Sequence, residues 1–140
     1  MRTLDELIEF YENLDAADVE RFEAFYTTDA WFKDPFNEVR GIDAIQRIFR
    51  HMFKQLETPR FHVCQRIVDA GGDVVLIWEL HFRSSLLGGA QMLRGVSHLR
   101  FAGDGKVSYH RDYWDAAEEL YAKVPVFGGL MRLLGKRLSA

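Results

Sequence analysis

The chain has 140 residues, of which 48% are hydrophobic and 14% aromatic, and a formal net charge of -3. That length and composition fit one packed globular domain and exclude a disordered or fibrous chain. The slightly acidic balance, with no basic stripe interleaved with aromatics, argues against a nucleic-acid partner.

The N-terminal MRTLDELIEF is charged and amphipathic, unlike a signal peptide. Thr3 and Glu6 form a capping-box pair, and Leu4, Leu7, Ile8, Tyr11 and Leu14 follow at helical spacing. A second short helix is predicted after Asp15, with Val19, Phe22, Phe25 and Tyr26 as its buried stripe. Ala30 to Lys33 reads as a short strand broken by Asp34-Pro35. After Gly41, with Asp43 as the expected cap, comes the clearest helix, its stripe Ile45, Ile48, Phe49, Met52, Phe53 and Leu56, ended by Pro59.

Residues 60–115 read as strands, placed at 61–69, 74–83, 90–101 and 106–115. Tight turns at 70–73 and 102–105 require antiparallel pairing. The lone cysteine, Cys64, excludes an internal disulfide, and its apolar-rich run predicts a buried, inert thiol. Two helices close the chain, 116–123 and 126–138, on either side of Pro125. The second carries Val126, Phe127, Leu130, Met131, Leu133, Leu134 and Leu138 beside Arg132, Lys136 and Arg137. It can cap a pocket, pack on a partner or lie on a membrane surface; Gly128, Gly129 and Gly135 weaken it as an independent membrane helix, so an intramolecular cover is expected. No apolar run reaches the roughly 20 residues of a membrane span, so a cytoplasmic protein is expected. Helices followed by four long strands define an α+β domain spanning 1–140.

Strand alternation puts Leu76, Trp78, Leu80 and Phe82 on one face, the better core face. The other mixes Val75, Ile77, Glu79, His81, Val96, His98 and Arg100, too apolar for a free surface and too polar for a core. In the last strand, Ser108, His110, Asp112 and Trp114 share a face, and alternation alone does not decide whether it points inward. His110 and Asp112, two residues apart, have Cβ atoms roughly 7 Å apart and can share a hydrogen bond or a bridging water. Asp34 has two readings as well: a turn residue bonded to its own backbone, or a carboxylate in an apolar mouth with its basicity raised for proton abstraction. No His/Cys/Asp/Glu set has metal-ligand spacing and no phosphate-cradling glycine loop occurs, so neither metal nor cofactor is expected.

YTTDAWFKDPFNEVRGIDAIQRIF (26–49) resembles bacterial ketosteroid isomerases, in which an Asp-Pro-Phe motif precedes a glycine and a helix. GKVSYHRDYWDAAEELYAKVPVFGG (105–129) resembles the C-terminal segment of limonene-1,2-epoxide hydrolases, with their Arg-Asp-Tyr-aromatic-Asp strand. Both families, and the SnoaL-like polyketide cyclases, belong to the nuclear transport factor 2-like superfamily. The resemblance implies a cone: a strongly curved mixed or antiparallel sheet wrapped around the N-terminal helices, a pocket at its open end and a C-terminal helix. It implies Asp34, His110 and Asp112 as catalytic acid–base groups. Tyr11, Tyr26, Trp31, Trp78, Leu80, Phe82, Ser97, Leu99 and Trp114 become the expected pocket residues, with Leu93 as further apolar wall and Arg94 as a weaker rim candidate. Two departures stand out. Phe10 aligns with the isomerases' donor tyrosine, with Tyr11 one residue away, and Ser97 with their donor aspartate. The hydrolases' arginine and second aspartate fall at Trp78 and Leu80, or one residue on at Glu79 and His81. The implied function is isomerase- or cyclase-type proton chemistry on a small apolar steroid-, terpene- or polyketide-like ligand, in a homodimer joined through the sheet. The alternatives are an epoxide hydrolase-like enzyme and a non-catalytic module that binds a small ligand or a protein.

Overall fold

The computed structural model describes residues 2–119 and 125–139. Helix α1 (Leu4–Glu12) starts on the predicted capping box: Glu6 N–H donates to Thr3 Oγ1 (3.2 Å) and Thr3 N–H to Glu6 Oε2 (2.7 Å). It buries Leu7, Ile8, Phe10 and Tyr11. The second predicted helix is a tighter 3-10 segment, Asp18–Ala24, preceded by a reciprocal turn in which Asp18 N–H donates to Asp15 Oδ1 (2.9 Å) and Asp15 N–H to Asp18 Oδ2 (3.2 Å). Val19 and Phe22 are fully buried.

Strand β1 (Tyr26–Lys33) begins four residues before the predicted strand and takes Tyr26 out of the helical stripe. The cause is long-range: β1 pairs in parallel with the last strand, and Val107 N–H donates to Phe25 O (2.8 Å). The Asp34 turn reverses the chain into a short strand that local pattern did not show, β2 (Glu38–Arg40). Helix α2 (Ile42–Gln55) is capped by Gly41, not Asp43. Gly41 has φ 100°, a left-handed backbone open to glycine. Asp43 lies in the first turn, where its charge suits the positive helix end.

Strand β3 (Glu57–Val68) starts immediately after α2, through Thr58 at φ 48° and Pro59, and earlier than predicted. It is followed by β4 (Val74–Ser84), β5 (Gly89–Phe101) and β6 (Val107–Tyr113). The sheet is curved and unclosed, with order β2-β1-β6-β5-β4-β3; β3 to β6 are antiparallel throughout. The predicted inner face of β4 holds, with Leu76, Trp78, Leu80 and Phe82 buried. Cys64, expected to be buried, is exposed: edge strand β3 is bulged between Val63 and Gln65, which turns the thiol outward. Short α3 (Ala116–Glu119) and α4 (Pro125–Leu138) close the chain. Residues 120–123 of the predicted 116–123 helix lie outside the described residues. Residues 132–139 are exposed, which overturns the expectation that this half of α4 covers the molecule.

The outer face is organised by aromatic and ionic contacts. The Trp31 ring stacks on Tyr109 (centroids 4.8 Å apart), Arg100 lies over Tyr109, and His98 Nε2 and Arg100 Nε both meet Asp73 Oδ2 (2.8 and 3.0 Å). Those two contacts hold Asp73 below the usual carboxylate range. Trp31, expected in the pocket, therefore lies on the face away from it. Arg94 also faces outward, where it meets Glu119 and Glu118.

Candidate functional site

A cavity of about 250 Å³ opens between the inner sheet face and α2. Its wall is apolar: Phe32, Phe49, Met52, Phe61, Trp78, Leu80, Phe82, Leu93 and Trp114, with Asp34, Asn37, His51 and Asp112 as polar members. Phe49, Phe61, Trp78 and Asp112 also border a deeper extension of about 20 Å³, which Tyr11, Val63, Leu76 and His110 complete. The extension is about the size of one water. Asp112 is the one carboxylate that borders both spaces among the described residues.

The register explains how Asp112 arrives there. Strands β5 and β6 pair Phe101 with Val107, then shift by one residue, so Leu99 meets His110 and Ser97 meets Asp112. Without that bulge Arg111 would face Ser97, because a one-residue slip moves every side chain to the other face. On β4, Trp78 crosses to the same place over Gly95, whose hydrogen is all that fits beneath the indole: a Cβ there would lie 2.3 Å from the ring.

These residues form one hydrogen-bonded chain. Trp78 Nε1–H donates to Ser97 Oγ (2.8 Å), and Ser97 Oγ–H donates to Asp112 Oδ1 (2.5 Å). His110 Nε2 meets the same Oδ1 at 2.6 Å, and His110 Nδ1 meets the Tyr26 hydroxyl at 2.7 Å. The Tyr26 hydroxyl meets that of Tyr11 at 2.6 Å. With an ionised carboxylate and a neutral imidazole, His110 donates from Nε2 and accepts at Nδ1 from Tyr26, and Tyr26 accepts from Tyr11. Every proton in the chain then points toward Asp112. His110 is 3% exposed, so its partners rather than water hold it in place. Burial pushes both phenols up, Tyr11 with a further push from Asp112 and Tyr26 from Tyr11 and Asp112, so both remain neutral donors. Among the described residues, both donors to Asp112 fall on Oδ1.

Asp34 lines the same cavity, but its carboxylate serves its own turn. Oδ1 accepts from Phe36 N–H (2.8 Å), Asn37 N–H (2.7 Å) and Asn37 Nδ2 (3.0 Å), and Nδ2 also reaches Oδ2 (3.1 Å). Of the remaining expected pocket residues, Trp78, Leu80, Phe82 and Trp114 line the cavity, and Tyr11 lines the extension. Tyr26 and Ser97 lie behind the wall as links in the chain, and Leu99 is fully buried core. Phe10 packs away from the site against Phe22 and Phe25, so Tyr11 is the α1 residue that faces the chamber. Trp78 and Leu80 bring no cation inward; Glu79 and His81 pair with each other instead, at 2.9 Å. Nothing in the sequence pattern marks Phe32, Phe49, Met52 and Phe61 as pocket residues, although Phe49 and Met52 belong to the apolar stripe of α2. Among the described residues, no group of three or more His, Cys, Asp or Glu is placed to hold a metal ion.

The curved, unclosed six-stranded sheet packed on helices has the ketosteroid isomerase-like, nuclear transport factor 2-like fold. Solved structures agree. A nuclear transport factor 2-like protein of unknown function from Exiguobacterium sp. 255-15 is 20% identical, with TM-score 0.68, over 81% of this chain and 98% of its own. A protein from Shewanella putrefaciens CN-32 described as a SnoaL-like polyketide cyclase is 20% identical, with TM-score 0.69, over 90% and 98%. An LEH-like epoxide hydrolase from M. tuberculosis is 14% identical, with TM-score 0.65, over 94% and 89%. At these identities the likeness is one of fold. Residues 7–110 match the SnoaL-like domain, and the chain belongs to that family. No curated protein matches the sequence.

Proposed function

We propose that the chain is a cofactor-independent acid–base enzyme of the isomerase or cyclase type, acting on a small, largely apolar carbonyl compound. The observation that supports this most is the position of Asp112. It is one of two carboxylates in a largely apolar cavity wall, where a bound carbonyl compound would meet it as the base that removes the neighbouring proton. In this reading Asp112 takes the proton through Oδ2, while His110 and Ser97 hold the carboxylate through Oδ1. His110 in turn is held in place by Tyr26 and Tyr11, while the carboxylate sets its tautomer. Asp34 is a second carboxylate at the mouth, with its turn bonds limiting its freedom to act as the base. A cavity of about 250 Å³ lies just under the roughly 300–1,000 Å³ of drug-sized ligand sites, which favours a terpene-sized or single-ring substrate over a steroid. The same reading places the protein in the cytoplasm as a homodimer through the outer sheet face, whose Val75, Ile77 and Val96 are only half-buried in the single chain.

The test is exchange of deuterium next to the carbonyl of a small cyclic enone. Wild type is expected to catalyse exchange, Asp112→Asn to lose it by at least two orders of magnitude, and Asp34→Asn to keep most of it. Exchange that survives in Asp112→Asn removes Asp112 as the base. A second reading, a non-catalytic binding module, is supported by the mutual satisfaction of the buried polar groups, which also serves to fix the sheet. Saturable enone binding without exchange in wild type selects that reading.

A further inference from the structure

Helix α4 stands apart from the chemistry described above. Its 3.6-residue spacing puts Val126, Phe127, Leu130, Met131, Leu133, Leu134 and Leu138 on one arc, and Gly128, Gly129, Arg132, Gly135 and Lys136 on the other. Arg137 alone falls inside the apolar arc, near the helix end, where a long side chain can bend back toward a polar boundary. The whole chain is acidic, yet residues 121–140 contain Lys123, Arg132, Lys136 and Arg137 and no Asp or Glu. The helix also lies beyond residues 7–110, the part shared with the family. Its apolar arc is uncovered at the described end: Leu133 is 52% exposed, Leu134 45% and Leu138 85%.

We infer that α4 is an interfacial helix that docks the protein on an anionic membrane surface. Three features select this occupant. The apolar arc is wide enough to sink into the headgroup boundary, and the opposite face presents cations and no acid, complementary to anionic lipid headgroups. At 14 residues the helix is too short to cross a bilayer, and no helix among the described residues is long and apolar enough to do so. Three glycines weaken it in water, so covering its apolar arc stabilises the helix itself. This inference does not depend on the acid–base reading; if both hold, the cavity works beside the phase in which apolar ligands collect.

The experiment is co-sedimentation of the full chain with phosphatidylglycerol-containing vesicles and with pure phosphatidylcholine vesicles. Binding is expected to the first, much less to the second, with release by added salt. Leu134→Glu should abolish sedimentation. The double substitution Arg132→Gln, Lys136→Gln should weaken it roughly thirtyfold, since each cation near an anionic surface contributes about a factor of five. All three positions are exposed, so far-UV circular dichroism should confirm an unchanged fold. No binding to the anionic vesicles overturns the inference, as does binding that Leu134→Glu leaves intact. If Leu134→Glu instead dissolves an oligomer while vesicle binding is absent in wild type, the arc belongs to a second copy and the inference also fails.

Discussion

At the scale of single residues, Tyr26 shows how little of a buried polar chain is visible in local sequence. Helical spacing assigned it to the core stripe of the second helix, and its hydroxyl proves to be the link between Tyr11 and His110. Removing it with Tyr26→Phe strands two buried partners, at a cost of roughly 1–3 kcal/mol, read as a lower denaturation midpoint. Tyr11 was ambiguous for a related reason: alignment without gaps selects Phe10, and the phase of α1 decides for its neighbour. Both phenols are raised above their ordinary value of 10.0, chiefly by burial. The unfolded chain therefore ionises first as pH rises. Stability contributed by these groups should be intact below about pH 10 and fall above it, and their near-ultraviolet ionisation should appear only together with unfolding. Early ionisation of both, in a chain still folded, contradicts the burial described here. Gly95 is a third case. Gly95→Ala puts a methyl 2.3 Å from the Trp78 ring, so the indole must move and its bond to Ser97 must break. Expected are a loss of about 1–3 kcal/mol from overpacking and a shift in tryptophan emission.

At the scale of elements, the strands were legible where hairpins are tight and illegible where pairing is remote. The turns at 70–73 and 102–105 marked β3 to β6 to within a few residues, because glycine-rich reversals and alternating faces are local signals. The start of β1 and all of β2 depend on partners far along the chain, so no local pattern reveals them. The inward face of β6 is harder still. It turns on a one-residue bulge between Arg100 and Phe101, and only the family resemblance pointed His110 and Asp112 inward. Thr58 marks a junction with a testable cost. A β-branched residue at φ 48° stands at the second position of β3, just past α2, in a region that disfavours side chains by roughly 1–2 kcal/mol. Thr58→Gly should relieve that strain, offset in part by glycine's greater freedom when unfolded, for a net gain of up to about 1 kcal/mol. Thermal denaturation reads this as a rise of a few degrees; a fall shows that Thr58 makes compensating contacts.

At the scale of the whole molecule, the same residues that build the core also build the cavity. Trp78, Leu80, Phe82 and Leu93 are each more than nine-tenths buried, yet their side chains line an unfilled space of about 250 Å³. Cores of this size are ordinarily packed with few voids larger than a water, and an unfilled apolar volume forfeits contacts at its lining. A fold selected for stability alone would close it, since larger side chains at Leu80 or Leu93 have room to do so. Leu93→Phe adds volume at the wall of the cavity, away from the Asp112 chain. It is expected to leave stability unchanged or raise it by up to about 1–2 kcal/mol, as cavity-filling substitutions do. It should also reduce binding of a small enone or an apolar fluorescent probe at least tenfold. That pairing, stability kept while binding is lost, is the signature of a space held open for a ligand. If Leu93→Phe instead destabilises the protein by several kcal/mol, the space is closed in solution, and the acid–base reading of Asp112 loses the chamber in which a substrate would stand.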